Sequence, residues 1–145
     1  MIKIICVGKL KEDYLKEMVE DYLTRINKYH KVVIEEVKDS NMQTEKIEIL
    51  KHIKKDDYVI SLVINSNQMS SIELSKKINN LFINGKSSIV FIIGGSDGID
   101  EEIINMSNEK ISFSKLTFPH GLFRTMLLEQ IYRSFKIMNN ETYHK

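Results

Sequence analysis

Apolar runs and helical repeats alternate along the chain. Four runs rich in β-branched residues predict strands: IKIICV (2–7), KVVIEEV (31–37), YVISLVI (58–64) and SSIVFIIGG (87–95). Segments with apolar residues at helical spacing predict helices between them, at 12–26, 45–53 and 71–83. The last two runs are almost continuously apolar, which is typical of parallel strands covered on both faces. The pattern therefore predicts an α/β fold, with a mostly parallel sheet and helices on both of its faces.

A final helix is predicted at roughly 120–138, directly after the only proline of the chain, Pro119. Proline fits the first turn of a helix, where its missing N–H is not needed. At about 100° per residue the helix has one stripe of Leu127, Leu128, Ile131, Phe135 and Met138, and a second of Met126, Ile137 and Phe123. A helix apolar on two sides is expected to pack against its own domain and against a partner subunit, which predicts a homodimer.

Composition and charge limit the class of protein. A length of 145 residues predicts one domain, 1–145, and 42% hydrophobic with 28% charged residues predicts an ordered globular chain. Lys plus Arg is 21 and Asp plus Glu is 20, so no overall basic excess indicates a nucleic-acid partner. The lone cysteine, Cys6, fits a reducing cytoplasm, and the four histidines lack metal-ligand spacing. No apolar run is long enough to cross a bilayer, so we expect a soluble cytoplasmic protein without a metal.

A glycine-rich junction, FIIGGSDGIDEEI (91–103), joins a strand to a helical segment. Glycines here allow close approach of a ligand to the backbone, and ligands bind beyond the carboxyl ends of strands in such sheets. The spacing is neither the dinucleotide fingerprint nor a P-loop. A cofactor site and a tight turn, with Asp97 or Asp100 capping the next helix, are both open interpretations.

Arg124 projects onto the first apolar stripe of the last helix, and it lies in the first turn, where a positive charge opposes the helix dipole. Such a violation favours a functional site for an anionic or polar substrate, with His120 beside it. The alternative is a structural ion pair with Glu129 or Asp97. The terminal residues Tyr143 and His144 are by default a frayed tail, although an aromatic and a histidine could stack on a base.

Four blocks in order carry a resemblance to a known family: FIIGGSDG, SKLTFPHGLFR, LLEQIYRSFKI and a terminal YHK. Together with IKIICVGKLKEDY at the start, they resemble the RlmH (YbeA) family of SPOUT-class ribosomal RNA methyltransferases over essentially the whole chain. The resemblance implies a SPOUT fold with a C-terminal trefoil knot and a homodimer with cofactor pockets near the interface. It also implies methyl transfer from S-adenosylmethionine to N3 of a pseudouridine in large-subunit ribosomal RNA, within the assembled ribosome.

The resemblance also implies roles for individual residues. Those that would bind the cofactor are Leu62, Gly95, Ser114, Lys115, Leu116, Thr117, Phe118 and Pro119. Those that would face the RNA or take part in catalysis are His120, Arg124, Tyr143 and His144, so that the tail becomes a functional element. The proton acceptor could be His144, His120 or water, and Arg124 could bind a phosphate or stabilise charge on the base.

One loop departs from the family pattern. The family commonly has L-D-x-x-G after the third strand, whereas Val63 and Ser66 stand here at the acidic and glycine positions. Two rival functions therefore remain: a methyltransferase for another RNA, and a non-catalytic ribosome-binding or assembly protein of the same fold. A nicotinamide-dependent oxidoreductase is a distant third, because its fingerprint is missing.

Overall fold

The structure, a computed structural model, describes residues 1–145. Strands and helices alternate from end to end: β1 (Ile2–Val7), α1 (Asp13–Asn27), β2 (Val32–Val37), α2 (Met42–Lys51), β3 (Tyr58–Leu62), α3 (Ser71–Ile83), β4 (Ile89–Ile93), α4 (Glu101–Met106), β5 (Glu109–Ile111) and α5 (His120–Met138).

The five strands form one sheet in the order β2-β1-β4-β3-β5, and every neighbouring pair is parallel. Parallel neighbours need crossover connections, so the helices must cover the faces of the sheet. Helices α1, α3 and α5 share one apolar core with the sheet, through residues such as Leu15, Leu74 and Leu128. Helices α2 and α4 cover the other face through Ile49 and Ile103. The predicted α/β fold with helices on both faces is confirmed, while the trefoil knot stays a prediction.

The predicted element bounds hold best where apolar periodicity is strong. The strand at 2–7 and the helices at 71–83 and 120–138 are found with the predicted bounds. Helix α2 begins three residues before the predicted 45, because the side chain of Asn41 accepts a hydrogen bond from the Thr44 N–H and caps it. Strand β3 ends at Leu62, and Ile64 is exposed beyond it.

Helix α5 packs between α1 and α3 and closes the larger core. Pro119 is its N-cap residue, with extended backbone (φ −56°, ψ 140°), so it precedes the first turn instead of lying in it. The predicted first stripe is buried at Leu127, Leu128, Ile131 and Phe135. No helix in the structure combines the length and the hydropathy needed to cross a membrane.

Candidate active site at the carboxyl edge of the sheet

The carboxyl ends of all five strands meet in one row. At this edge the register pairs, across the sheet, residues that end a strand or stand one before its end, in the order Glu36, Cys6, Ile93, Leu62 and Ile111. Three predicted cofactor elements start from this row: Leu62 at the end of β3, the glycine turn after β4 and the segment after β5. Ligands of open α/β sheets bind at this edge, so the structure brings the predicted elements to the expected place.

The glycine turn after β4 is tight. A Cβ on Gly94 would lie 2.6 Å from the carbonyl carbon of Gly98, and Gly98 itself has φ +83°. The Gly98 N–H donates to the Gly95 carbonyl, while the N–H groups of Ser96 and Asp97 donate to no other group of the chain. Asp100 caps α4 by accepting from the Glu102 N–H, so one of the two predicted caps is correct. The turn therefore presents free backbone donors as well as capping a helix.

The segment from Ser112 to Pro119 is anchored at its start and open in its middle. The Ser112 N–H donates to the Asn67 carbonyl at 3.0 Å, which ties this segment to the loop after β3. The N–H groups of Lys115, Thr117 and Phe118 donate to no other group of the chain. Leu116 is 71% exposed, which is unusual for leucine. Unpaired backbone donors beside an exposed apolar side chain suit a ligand with both polar edges and apolar faces, such as adenosine.

The loop after β3, where the sequence departs from the family pattern, is tied to β5. The Val63 N–H donates to the Ile111 carbonyl, and the Ser66 hydroxyl donates to the Lys110 carbonyl at 2.9 Å. The serine that stands in place of a glycine thus adds a contact that a glycine could not make. The substitution therefore adds a tie between this loop and β5.

A groove of about 540 Å³ opens between α1, α3, α5 and the segment after β5. Eight of its fourteen lining residues are hydrophobic, and they include Met18, Phe113 and Met126. Ser114 and Phe118 of the predicted cofactor segment line it, and Glu129 lies on its α5 side. Leu62 and Gly95 do not line the groove, so the predicted cofactor residues divide between the edge of the sheet and this groove.

Arg124 is 2% exposed and is held by polar partners on two strands' ends. One guanidinium nitrogen donates to Glu36 Oε2 at 2.6 Å, and another donates to the Gly8 carbonyl at 3.1 Å. The structural alternative predicted an ion pair with Glu129 or Asp97, and both predicted partners are wrong. The partner is Glu36, which β2 brings to the start of α5. The Nε of Arg124 is buried without a partner.

The ion pair changes the acidity of its neighbours. Burial raises the pKa of the Glu36 carboxyl, but hydrogen bonds from Arg124 and from the Leu10 N–H outweigh burial and hold it below its ordinary value. Burial raises the pKa of the Cys6 thiol to about 12, in spite of the opposing charge of Arg124. Cys6 is therefore a neutral core thiol and not a nucleophile.

His120 lies against Gly8, the residue that follows β1. Gly8 has φ +103°, and a Cβ there would lie 2.7 Å from Cε1 of the His120 ring. No hydrogen bond of the chain involves this ring, and its Nδ1 is buried without a partner. Arg124 and His120 thus both contact Gly8, one through its carbonyl and the other through its Cα face. The Gly8 position accordingly fixes the start of α5 against β1.

A second polar cluster lies further along α5. Arg133 donates to Glu129 at 2.6 Å, stacks on the Tyr143 ring at 4.8 Å and lies 3.1 Å from Nδ1 of His144. The Tyr143 hydroxyl donates to Glu129 as well, at 3.2 Å. Burial, and then the charge of Glu129, raises the pKa of Tyr143 to about 12, so the phenol is neutral at physiological pH. The terminal residues are docked and not frayed.

The structure does not bring all predicted catalytic residues together. Arg133, the partner of the tail, lies thirteen positions after His120 on α5, which is about 20 Å along the helix axis. Sequence reasoning missed Arg133 and Glu129 because a Glu–Arg pair four residues apart is ordinary on a helix surface. The signal that could have found them is their place on α5, the helix with two adjacent apolar stripes.

Comparison with known proteins identifies the family. Over 99% of its length the chain resembles the structure of a "probable methylase family protein" from Haemophilus influenzae Rd KW20, of which it covers 70%, with a TM-score of 0.59 and 12% identity. That likeness concerns the fold alone. A family model described as "Predicted SPOUT methyltransferase" matches residues 1–144. The chain belongs to the SPOUT methyltransferase family.

Sequence relatives narrow the position of the chain within SPOUT methyltransferases. A chain from Methanococcus maripaludis is 51% identical over 99% of both chains. The "Ribosomal RNA large subunit methyltransferase H" of Clostridium tetani is 50% identical over the same share, and its namesake from Clostridium kluyveri is 48% identical. The resemblance deduced from the four sequence blocks is therefore confirmed along essentially the whole chain.

Proposed function

We propose that this chain transfers a methyl group from S-adenosylmethionine to N3 of a pseudouridine in large-subunit ribosomal RNA, acting in the cytoplasm on the assembled ribosome. The observation that carries the proposal is made at the carboxyl edge of the sheet, where the glycine turn and the segment after β5 present backbone N–H groups without partners. The chain that has this edge belongs to the SPOUT methyltransferase family. The name of the two clostridial relatives, "Ribosomal RNA large subunit methyltransferase H", supports the choice of substrate class.

The residues present fit S-adenosylmethionine. The open N–H groups of Lys115, Thr117 and Phe118 suit the polar edges of an adenine ring, and Leu62 and Leu116 suit its faces. Gly95 fits closely against β1, since a Cβ there would lie 3.0 Å from a methyl carbon of Val7. The remaining predicted cofactor residues, Ser114 and Pro119, flank these open N–H groups in the chain.

The bound cofactor would supply a sulfonium methyl group for in-line displacement, in which the N3–C bond forms as the S–C bond breaks. The chain's contribution is then to align the base with this methyl and to accept the N3 proton. Tyr143 cannot accept it, because a phenol with a pKa of about 12 stays protonated. In His144, Nδ1 already accepts from Arg133. The His120 ring accepts no hydrogen bond from the chain, and we assign His120 the role of proton acceptor.

Arg124 is assigned a positioning role in this scheme. Its two terminal nitrogens donate to Glu36 and to the Gly8 carbonyl, and only Nε is left for another partner. Because Gly8 also supports the His120 ring, the ion pair sets the place of His120 at the carboxyl edge. Arg133, a quarter exposed, is the better candidate for an RNA phosphate.

A homodimer would cover apolar side chains that are exposed in the single chain. Exposed apolar side chains surround the groove, with Leu116 71%, Met18 44% and Leu122 39% exposed. Covering them with a second copy would remove this apolar surface from water. Sedimentation should give a dimer for the single-domain chain, and Met18→Asp should shift it toward monomer while far-UV circular dichroism is unchanged.

The activity test uses tritiated S-adenosylmethionine and intact ribosomes from a strain that lacks this protein. Wild-type protein should label large-subunit RNA, and His120→Ala should reduce the label at least tenfold. Glu101→Ala is the matched control, because Glu101 is exposed on α4 at the opposite face and pairs with nothing. No label from wild type, together with no calorimetric binding of S-adenosylmethionine, would favour a non-catalytic ribosome-binding protein instead.

A further inference from the structure

The C-terminal segment leaves α5 through a defined reversal. Asn140 has φ +54°, a left-handed conformation that asparagine tolerates better than most residues. Its N–H donates to the Ile137 carbonyl, and the Glu141 N–H donates to the Lys136 carbonyl at 2.9 Å. These two bonds form a Schellman motif, which ends the helix and directs the chain back along it. The reversal sets where Glu141 lies, but it does not by itself hold the residues that follow.

Glu141 is held by two donors on different elements. Lys136 Nζ, on the last turn of α5, donates to its Oε2 at 2.7 Å. The Tyr29 hydroxyl, in the connection between α1 and β2, donates to its Oε1 at 2.8 Å. The hydrogen bond from Lys136, followed by that from Tyr29, lowers the pKa of Glu141 below its ordinary value. The carboxylate is therefore ionised at neutral pH and able to accept both bonds.

Tyr29 and Lys136 are themselves fixed. The Tyr29 ring stacks on the Phe135 ring, with 5.8 Å between the ring centres and an angle of 11° between the planes. Lys136 Nζ lies 5.8 Å from the centre of the Tyr29 ring. Tyr29 also follows α1, so a change at Glu141 would uncouple the tail from α1 as well as from α5. The carboxylate thus joins the tail to rigid parts of the fold and not merely to a neighbouring side chain.

Among the residues after Glu141, only Tyr143 and His144 have attachments of their own. Thr142 and Lys145 are exposed and make no hydrogen bond, so the docked state of the tail depends on Tyr143 and His144. Ordering each residue costs about 1–2 kcal/mol of backbone entropy, which is why terminal residues are normally disordered unless they are tied down. The contacts of Tyr143 and His144 with α5 lie at and around Arg133, one turn before Lys136.

We propose that Glu141 is a positioning residue: by joining Tyr29 and Lys136, it holds residues 142–145 against α5 so that Tyr143 and His144 meet Glu129 and Arg133. Its effect on catalysis rests on the proposed function, whereas its effect on the order of the tail does not. Glu141 makes no hydrogen bond to either of the tail residues that it places, so it acts through the path of the chain.

The direct test measures the order of the tail in the full-length protein. Amide ¹⁵N heteronuclear NOE values of Tyr143 and His144 should be close to those of α5 in wild type. Glu141→Ala should lower them to the values of a flexible terminus, and Tyr29→Phe should lower them in part. Glu141→Gln keeps an acceptor oxygen and should restore most of the order. Unchanged NOE values in Glu141→Ala would overturn the proposal.

The catalytic test separates positioning from general stability. Glu141→Ala should lower kcat for methyl transfer to ribosomes about tenfold, with the Kd for S-adenosylmethionine unchanged within twofold. A chain ending at Glu141 should show a similar loss, and Glu141→Ala should add nothing in that shortened chain. An equal further loss in the shortened chain would mean that Glu141 acts elsewhere and would overturn the proposal. Glu101→Ala again serves as the control.

The two tests also keep this inference apart from the proposed function. If wild type transfers no methyl group to ribosomes but the tail loosens in Glu141→Ala, the positioning role stands and the proposed function fails. If wild type is active and Glu141→Ala is as ordered and as active as wild type, the proposed function stands and the positioning role fails.

Discussion

Two arginines of α5 show how differently one residue type can be used on one helix. Arg124 is 2% exposed, and its carboxylate partner lies 88 residues away in the chain. Arg133 is 25% exposed, and its partner Glu129 is four residues away on the same helix. The guanidinium of Arg124 is bound by residues at the ends of two strands, whereas that of Arg133 contacts the terminal residues Tyr143 and His144.

The difference separates fold from chemistry. Replacing Arg124 removes one hydrogen-bond donor from Glu36 and one from the Gly8 carbonyl at the edge of the core. Replacing Arg133 leaves groups that water can reach. An arginine that violates the helix pattern is therefore not automatically the one that meets the substrate, and one that obeys the pattern can be.

Arg124→Met should have the largest effect on stability. The methionine fills part of the space but loses both donated hydrogen bonds, so we expect unfolding to become easier by about 2–3 kcal/mol. The value stays at the low end because Glu36 is 42% exposed and can be rehydrated. Urea unfolding monitored by circular dichroism measures it, and a loss below about 0.5 kcal/mol would contradict the view of Arg124 as part of the fold.

Gly8→Ala comes next, because it disturbs the point where both α5 residues meet β1. The position has φ +103°, and the new Cβ would overlap the His120 ring. We expect a loss of about 2 kcal/mol in stability and a displaced His120. Activity should fall more than stability alone explains when both are measured at a temperature where the variant is fully folded. Gly85→Ala is the control, since it has a similar φ of +88° but open space around it.

Arg133→Ala should show the reverse pattern. Its pair with Glu129 is partly exposed, so the free energy of unfolding should change by less than about 1 kcal/mol. Methyl transfer to ribosomes should fall at least tenfold, equivalent to about 1.4 kcal/mol in the activation barrier. Wild-type rates in a folded Arg133→Ala protein would remove Arg133 from the site and end the contrast with Arg124.

The pH dependence of stability should give the smallest effect. The pKa of Glu36 is lowered on folding, so its pair contributes stability above the unfolded value of 4.5 and loses it as pH falls through the folded value. The contribution is about 1 kcal/mol or less, because the carboxylate is partly exposed. The stability difference between wild type and Arg124→Met should therefore narrow below pH 4.5. A constant stability difference between the two proteins down to pH 3 would mean that folding does not lower the pKa of Glu36.

Much of the fold could be predicted from sequence because each buried face leaves its own periodicity. The run at 2–7 and the stripe along 120–138 were sufficient to place β1 and α5. Strand β5, Glu109–Ile111, was missed, since three residues with two charges make no apolar run. It exists because it pairs with β3, and no local property of its sequence indicates that pairing.

The candidate site was predictable in kind but not in its contacts. The misplaced charge of Arg124 was visible, yet its partner Glu36 was not, because the two meet only when β2, β1 and α5 are assembled. The docking of Tyr143 needed a left-handed Asn140 and a partner on α5, neither of which a short terminal sequence indicates. These contacts join residues far apart in the chain, so they could be seen only in the tertiary structure.

The reach of Arg124 also bears on the order in which the molecule can form. Its bond to the Gly8 carbonyl spans 116 residues, and its bond to Glu36 spans 88. Contacts of such sequence separation are slow to form, and synthesis proceeds at about 5–20 residues per second. The amino-terminal strands are therefore synthesised several seconds before Arg124, whose hydrogen bonds to Gly8 and Glu36 join their carboxyl ends. Until that residue emerges, the nascent chain can hold a partial sheet but no finished ligand-binding edge.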